Sequence, residues 1–573
     1  MKSLRANSES RPRAGQWVVM TSLTSGLLMG PAMHAVLAKD AAESGISAER
    51  LSSLTRTLAS DEFEGRAPGT PGEAQTIEFL VAQFKALGLK PAGETGGWTQ
   101  AVPLVRTQLP ADAAMGVTVR GERLPLVQDK DVAALTLRPV DRVRIESAPL
   151  VFVGYGVSAP ERHWDDYKGV DLRGKIVVFL INDPDFEALP TEPVHNRFEG
   201  KAATYYARWT YKYEEAARRG AVGALIVHET PGAGYGWNTA VAPHGEGYDI
   251  VRADPAREKV LLQAWLHRDT AVTLFHKAGL DFDALKAQAR DASFRPVALA
   301  GASFSADYAL QHARVESRNV LAMLPGRKRP AETVMVAAHW DAYGIGEPDS
   351  SGDRIRHGAA DDALGIAGVL EVARALTHGP RPARSVVFAA WTAEERGLLG
   401  SEYYAEHPLH PLATTVANLT LDVLQTAGPA RDVVLVGAGQ NQLDGYLAKA
   451  AALQDRNVTP DARPERGLAF RADHFPLAKR GVPALPLMGI GGGADLVDGG
   501  RVAGDRWVSE YTQNCYHQAC DRWSADWDLR GAMQDVALIH QIAWTLADST
   551  DWPEWNAGSQ FKAIRDVTKA SRK

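Results

Sequence analysis

Apolar and polar positions follow three successive rhythms along this chain. From about residue 41 to 101, the stretch LSSLTRTLASDEFEGRAPGTPGEAQTIEFLVAQFKALGLKPAG spaces its apolar residues by three and four. That period predicts helices, interrupted by a Gly/Pro break at residues 67–72. Between about 148 and 300 the rhythm shortens to the β-like runs PLVFVGYGV, KIVVFLI and GALIVHE, separated by the helical KYEEAARRGAV. From about residue 315 strand-like and helix-like runs alternate as TVMVAAH, ALGIAGVLEVARALTH, SVVFAAW, GLLGSEYYAEH and TVANLTLDVL. Such alternation predicts an α/β fold whose mainly parallel, mixed sheet is sandwiched by helices. A helix near 442–454, a strand at ALPLMGI, a glycine-rich loop at 489–504 and a closing helix from about 529 to 548 complete the pattern.

Metal-binding residue types fall where these strands run out, which is where open α/β sheets build their sites. They are His339 in AAHWD, Asp361 in GAADDALG, Glu394 and Glu395 in WTAEERGLLGS, Asp422 in NLTLDVLQ and His517 in CYHQACD. Imidazole and carboxylate bind zinc at about 2.0–2.2 Å, and a catalytic site needs a few such ligands plus an open position. Five ligands and a spare glutamate suit two zinc ions and one base. Asp341, two residues after His339, is placed to hydrogen-bond the ring nitrogen turned away from a metal. Neighbouring Glu394 and Glu395 leave the backbone in different directions, so one can bind metal while the other faces water. Asp361 and Asp362 stand before a helix whose N-terminus favours negative charge. Asp422 closes an apolar run in which a lone carboxylate is costly without a partner.

The ordered series of motifs resembles the M28 family of zinc aminopeptidases. The resemblance implies a zinc-exopeptidase fold of the phosphorylase/hydrolase-like kind, peptide substrates and two zinc ions per chain. It assigns one zinc to His339, Asp422 and Asp361 and the other to Asp361, Glu395 and His517, with Asp361 bridging and Glu394 as general base. It also implies a cis peptide between Asp361 and Asp362, with Asp362 supporting the backbone. Asp473 and His474 in RADHFPLAKRGVPALPL resemble a family loop that lies beside the substrate. Tyr516 and Tyr511 read either as substrate or oxyanion contacts or as packing residues, and Asp521 as a residue that orients the His517 loop. The EGRAPGTPGE turn resembles the family's helical lead-in, which makes Glu64, Arg66 and Thr70 structural. DYKGVDLRGKIVVFLIND followed by KYEEAARRGAVGALIVHE resembles a β-rich protease-associated domain inserted into the peptidase, where it shapes the cleft. His195, His228 and His244 in that segment read as surface or loop histidines.

Composition narrows the partners. A net charge of −6 leaves no basic face for nucleic acid and no polybasic membrane patch. Lys2, Arg5, Arg11 and Arg13 precede an uncharged stretch at residues 16–37, the pattern of a secretory signal cleaved after Ala38 or, alternatively, of an uncleaved anchor. Export to the periplasm or medium is expected, with no stable membrane partner once the signal is gone. The expected division is a signal at 1–38, the N-terminal part of the peptidase at 39–147, the insertion at 148–300, the catalytic domain at 301–555 and a tail at 556–573. The two cysteines, Cys515 and Cys520, exclude a cysteine-based zinc finger. They flank His517 and either pair as a disulfide or remain free thiols. Other readings are a single-zinc glutaminyl cyclase-like acyltransferase and a non-catalytic binding protein of the same fold. Carboxypeptidase or dipeptidase specificity stays open, because it depends on pocket residues outside these motifs.

Overall fold

The computed structural model describes residues 45–572, and the expected signal segment at 1–38 lies outside them. Two eight-stranded sheets carry the described chain. The first runs in the order Glu246–Ile250, Thr99–Gln108, Gln311–Leu324, Arg384–Trp391, Arg329–His339, Thr415–Asp422 and Ala484–Met488, and the short Lys90–Pro91 pairs with Gln311–Leu324. The last four of those seven strands are mutually parallel, while the pairings before them are antiparallel.

The parallel strands read as unbroken apolar runs because both of their faces are covered. Side chains alternate across a strand, so Val334, Val336 and Ala338 enter one core with Val386, Phe388 and Ala390. Helices Ala48–Leu58, Leu364–His378 and Arg530–Asp548 close that face. Met335 and Ala337 point the other way with Val387, Ala389 and Trp391, against Tyr404 and Leu477. The register then aligns the strand ends. His339 pairs with Trp391, and the Ala337–Thr420 pairing, carried two residues further, sets His339 level with Asp422.

The lead-in forms two helices. Ser47 caps Ala48–Leu58, and the Thr70 hydroxyl caps Pro71–Ala86, whose proline occupies the first turn where no N–H is required. Between them Gly65 adopts φ 67°, and a Cβ there would lie 2.4 Å from the carbonyl oxygen of Arg356. Only glycine allows that approach.

The second sheet runs Glu122–Pro125, Ala114–Val119, Val297–Ala309, Arg142–Phe152, Ile176–Leu180, Gly223–His228, Leu262–His267 and Val132–Leu135. Its strands span residues 114–309, wider than the expected 148–300, and Glu246–Ile250 leaves this segment to edge the first sheet. The strands Ala114–Val119, Glu122–Pro125 and Val132–Leu135 are only 6, 4 and 4 residues long, too short to establish a hydrophobic period. The central strands are parallel and covered by helices such as Trp209–Arg218 and Arg268–Lys277, so this unit has an α/β core of its own. That burial corrects one expectation: His228 is not a surface residue but a strand residue, 4% exposed, packed among Trp237, Trp265 and Tyr235. His195 and His244 are exposed.

Candidate metal centre

His339 closes its strand, buried to 1% exposure. Its Nε2 lies 3.1 Å from Asp361 Oδ1 and 4.0 Å from Glu394 Oε2. Its Nδ1 meets the backbone carbonyl of Asp341 at 3.0 Å, whereas the Asp341 carboxylate stands 3.7 Å away. The expected ring-to-carboxylate bond is thus replaced by a ring-to-carbonyl bond. The Asp341 carboxylate instead accepts the backbone N–H groups of Glu394, at 2.9 Å, and Glu395, at 3.4 Å. It has turned toward the next strand because two adjacent N–H groups there form a better cradle for an anion than one imidazole does.

Asp361 sits in the irregular turn before helix Leu364–His378, joined to Asp362 by a cis peptide. Its second oxygen faces His517 Nε2 at 3.2 Å, and the same nitrogen lies 3.2 Å from Glu395 Oε2. One carboxylate thereby faces two histidines, one on each oxygen. Asp362 points into the scaffold, where its oxygens accept N–H groups from Gly365, Val423 and His339. Asp521 holds the other side of the turn by accepting the N–H groups of Ala360 and Asp361 at 2.9 and 3.1 Å.

His517 belongs to a loop bracketed by Cys515 and Cys520, which are disulfide-bonded. Tyr516 lies against its ring, with centroids 3.7 Å apart, and also contacts Tyr511, whose hydroxyl donates to Asp521. The partner of His517 Nδ1 is the Tyr343 hydroxyl at 3.1 Å, a residue absent from the sequence-based set. Its only sequence signal is its place two residues after Asp341. Arg66 is structural through its side chain. Its buried guanidinium donates to the carbonyls of Trp340, Leu58, His357 and Gly358, fixing the backbone next to His339 and before Asp361.

Asp473 accepts from the Ser401 hydroxyl, and its other oxygen is buried without a partner. His474 is buried one residue on, with Nε2 bonded to the Ala469 carbonyl at 2.8 Å, and burial pushes it down to about 4. Among the described residues no hydrogen bond or ion pair joins His474 to the ligand set, so it serves as a packed, neutral imidazole.

The charge balance is what a metal site looks like from the protein side. Burial pushes Glu394 and Glu395 well above the ordinary carboxylate range, and neighbouring carboxylates add to it. Burial, then Asp361, raises Asp422 to about 7. Burial opposes charge on Asp361 too, but the His339 and His517 contacts outweigh it and hold that carboxyl low. Asp361 Oδ2 and His517 Nε2 are buried without a well-formed hydrogen bond. Two ligands of a tetrahedral zinc stand about 3.4 Å apart, given bonds of about 2.0–2.2 Å. The 3.1–3.2 Å separations among His339, Asp361, Glu395 and His517 fit that edge, and His339, Asp361 and Glu395 offer ligand atoms within 4.8 Å of one another. The residues present therefore fit a metal ion.

Residues 319–540, which include all five candidate ligands, match the sequence model of peptidase family M28. Leupeptin-inactivating enzyme 1 of Streptomyces exfoliatus is 28% identical over 255 residues, covering 44% of this chain and 52% of that protein. Aminopeptidase NAALADL1 of Mus musculus is 36% identical over 121 residues, covering 20% of this chain and 15% of that one. The chain thus spans about half the length of the first of these relatives and less of the second. Among solved structures, the aminopeptidase from Aneurinibacillus sp. strain AM-1 overlaps 90% of this chain and 96% of its own, with a TM-score of 0.48 and 19% identity.

Proposed function

We infer that the protein is a dizinc exopeptidase, an aminopeptidase that removes the N-terminal residue of peptides. One observation carries this reading: Asp361 presents its two oxygens to two different histidines, with Glu395 beside one and Glu394 beside the other. In the proposed division His339 and Asp422 complete one metal position, Glu395 and His517 the other, and Asp361 is shared. Zinc held there would polarise a carbonyl and make water acidic enough to react near neutral pH.

The chain's own residues supply the rest. Glu394 takes a proton from the attacking water and returns it to the leaving amine, the task of a general base held within reach of the reacting atoms. Burial, with Asp422, Glu395 and Asp473 nearby, raises its carboxyl above the ordinary range, which suits a proton acceptor. Asp341 fixes the Glu394–Glu395 backbone, while Asp521, Tyr343 and Arg66 hold Asp361, His517 and the strand end. Asp473 and Tyr516 are placed on the substrate side in this reading.

The second-sheet segment is proposed as the protease-associated insertion, with a part in shaping the cleft and none in metal binding. Export after removal of residues 1–38 belongs to the same proposal. Among the described residues no helix is long and apolar enough to cross a membrane. The test is to incubate zinc-loaded protein with peptides whose N-termini are free or acetylated. Cleavage of the free-amine peptides alone is the expected result; equal cleavage of the acetylated set would contradict an aminopeptidase.

A further inference from the structure

Where the second-sheet segment touches the turn before Asp473, guanidinium groups gather without an ion pair to hold them. Arg208 stands at the start of helix Trp209–Arg218 in the second-sheet segment. Arg466 and Arg471 flank the turn Leu468–Phe470 that leads to Asp473. The two segments touch: the Ala203 N–H donates to the Pro464 carbonyl at 3.1 Å, and a Cβ on Gly467 would lie 3.5 Å from Arg208 Cδ. Leu468 and Ala472 pack with Val423, the residue after Asp422, and Tyr516 borders the same cluster. Arg471 is the electrostatic neighbour common to Arg208, Arg466, Asp422 and Tyr516.

These arginines differ from others in the chain. Arg252, for comparison, is answered by Asp249, Glu258 and Glu406. Among the described residues the Arg471 and Arg208 side chains make no hydrogen bond or ion pair, and Arg208 Nε is buried without a partner. Arg466 reaches only the Ile490 carbonyl, at 3.2 Å. Burial, followed by repulsion from Arg471, pushes Arg208 down to about 9, and burial, followed by repulsion from Arg463 and Arg471, pushes Arg466 down to about 10, so the charges are retained at neutral pH at a cost to the fold. A planar guanidinium left unanswered beside a reaction centre is suited to bidentate binding of a carboxylate.

We propose that Arg208, Arg466 and Arg471 form a subsite for a carboxylate that the peptide substrate carries close to the scissile bond. The inference rests on the exopeptidase reading and gives it a substrate class, acidic or carboxylate-ended short peptides. It also gives the second-sheet segment a specific contribution, since that segment brings Arg208. The carboxylate has two possible sources, the free C-terminus of a short peptide or an Asp or Glu side chain.

Two matched pairs separate them: Leu-Ala against Leu-Ala amide, and Leu-Glu amide against Leu-Gln amide. For zinc-loaded protein the charged member of one pair should be cleaved with a kcat/KM about ten- to a hundred-fold above its neutral partner, the value of a charge-assisted hydrogen bond. Arg471→Gln and, on the other segment, Arg208→Gln should each shrink that ratio toward one. Cleavage with no preference in either pair, or a preference that both variants preserve, overturns the proposal. Should no peptide be cleaved, the exopeptidase reading fails by itself, and the subsite is judged by calorimetric binding of the same pairs to zinc-loaded Glu394→Gln protein. There a tighter charged member whose advantage disappears with Arg471→Gln supports the subsite, and equal affinities refute it.

Discussion

Asp341 holds Glu394 by its backbone: the carboxylate of one accepts the N–H of the other at 2.9 Å, while the Asp341 carbonyl occupies the ring of His339. A single residue thus ties the histidine strand to the turn bearing both glutamates. Replacing it by alanine should leave the ligands present but poorly oriented. Loss of such an outer-shell contact typically costs about 10- to 100-fold in metal affinity or activity. Asp341→Ala is therefore expected to bind zinc about that much more weakly in competition with a chelator, and unchanged affinity would show that the turn holds itself.

Glu394→Gln preserves shape and removes the base. The variant should retain its zinc while losing on the order of 10²–10⁴ in kcat. Metal analysis and turnover on the same preparation check both halves, and near-normal turnover would remove Glu394 from the mechanism.

Glu73 predicts a pH effect away from the ligands. Its side chain accepts from the Gly69 N–H and from the Ser317 hydroxyl, which in turn meets the Thr392 hydroxyl. Burial raises it from 4.5 to about 7. Below 4.5 both folded and unfolded chains hold the proton and Glu73 contributes nothing. Between 4.5 and 7 the unfolded chain releases it first, so stability falls as pH rises, and above 7 the loss is constant. Glu73→Gln should remove a penalty on the order of 3 kcal/mol at pH 8 and little at pH 4. Melting curves of the two proteins across that range should diverge as pH increases; parallel curves would refute the assignment.

The bond between Cys515 and Cys520 spans a sequence separation of 5, so its loop-entropy contribution is small. Its effect should be local to His517. Replacing both cysteines by serine is expected to speed zinc release while changing the melting temperature little, and the reverse pattern would make the disulfide a global brace.

Much of this centre was legible because each ligand candidate follows a strand or turn with a plain hydrophobic signature, as His339 follows TVMVAA and Asp422 closes TVANLTL. What sequence concealed is contact across distance. Asp341 lies two residues from His339, and that spacing suggests the ring as its target; the N–H groups it actually binds belong to residues 53 and 54 positions away. Arg66 reaches the carbonyls of His357 and Gly358 from nearly 300 positions away, and nothing in EGRAPG marks its side chain as buried. His228 reads as a surface or loop residue on the general burial habits of histidine, yet it pairs with His267 and is covered by Tyr235, Trp237 and Trp265. The early strands at 114–135 are hidden by their length, since runs of 4 to 6 residues carry too few positions to show a period.

The measurement that bears most directly on the account is zinc stoichiometry against activity, made by adding zinc to metal-stripped protein and following bound metal and peptide cleavage together. Two zinc ions per chain, with aminopeptidase activity that Asp361→Ala abolishes along with tight metal binding, is the predicted result. Saturation at one zinc, or two tightly held ions in Asp361→Ala, would contradict a centre shared through Asp361.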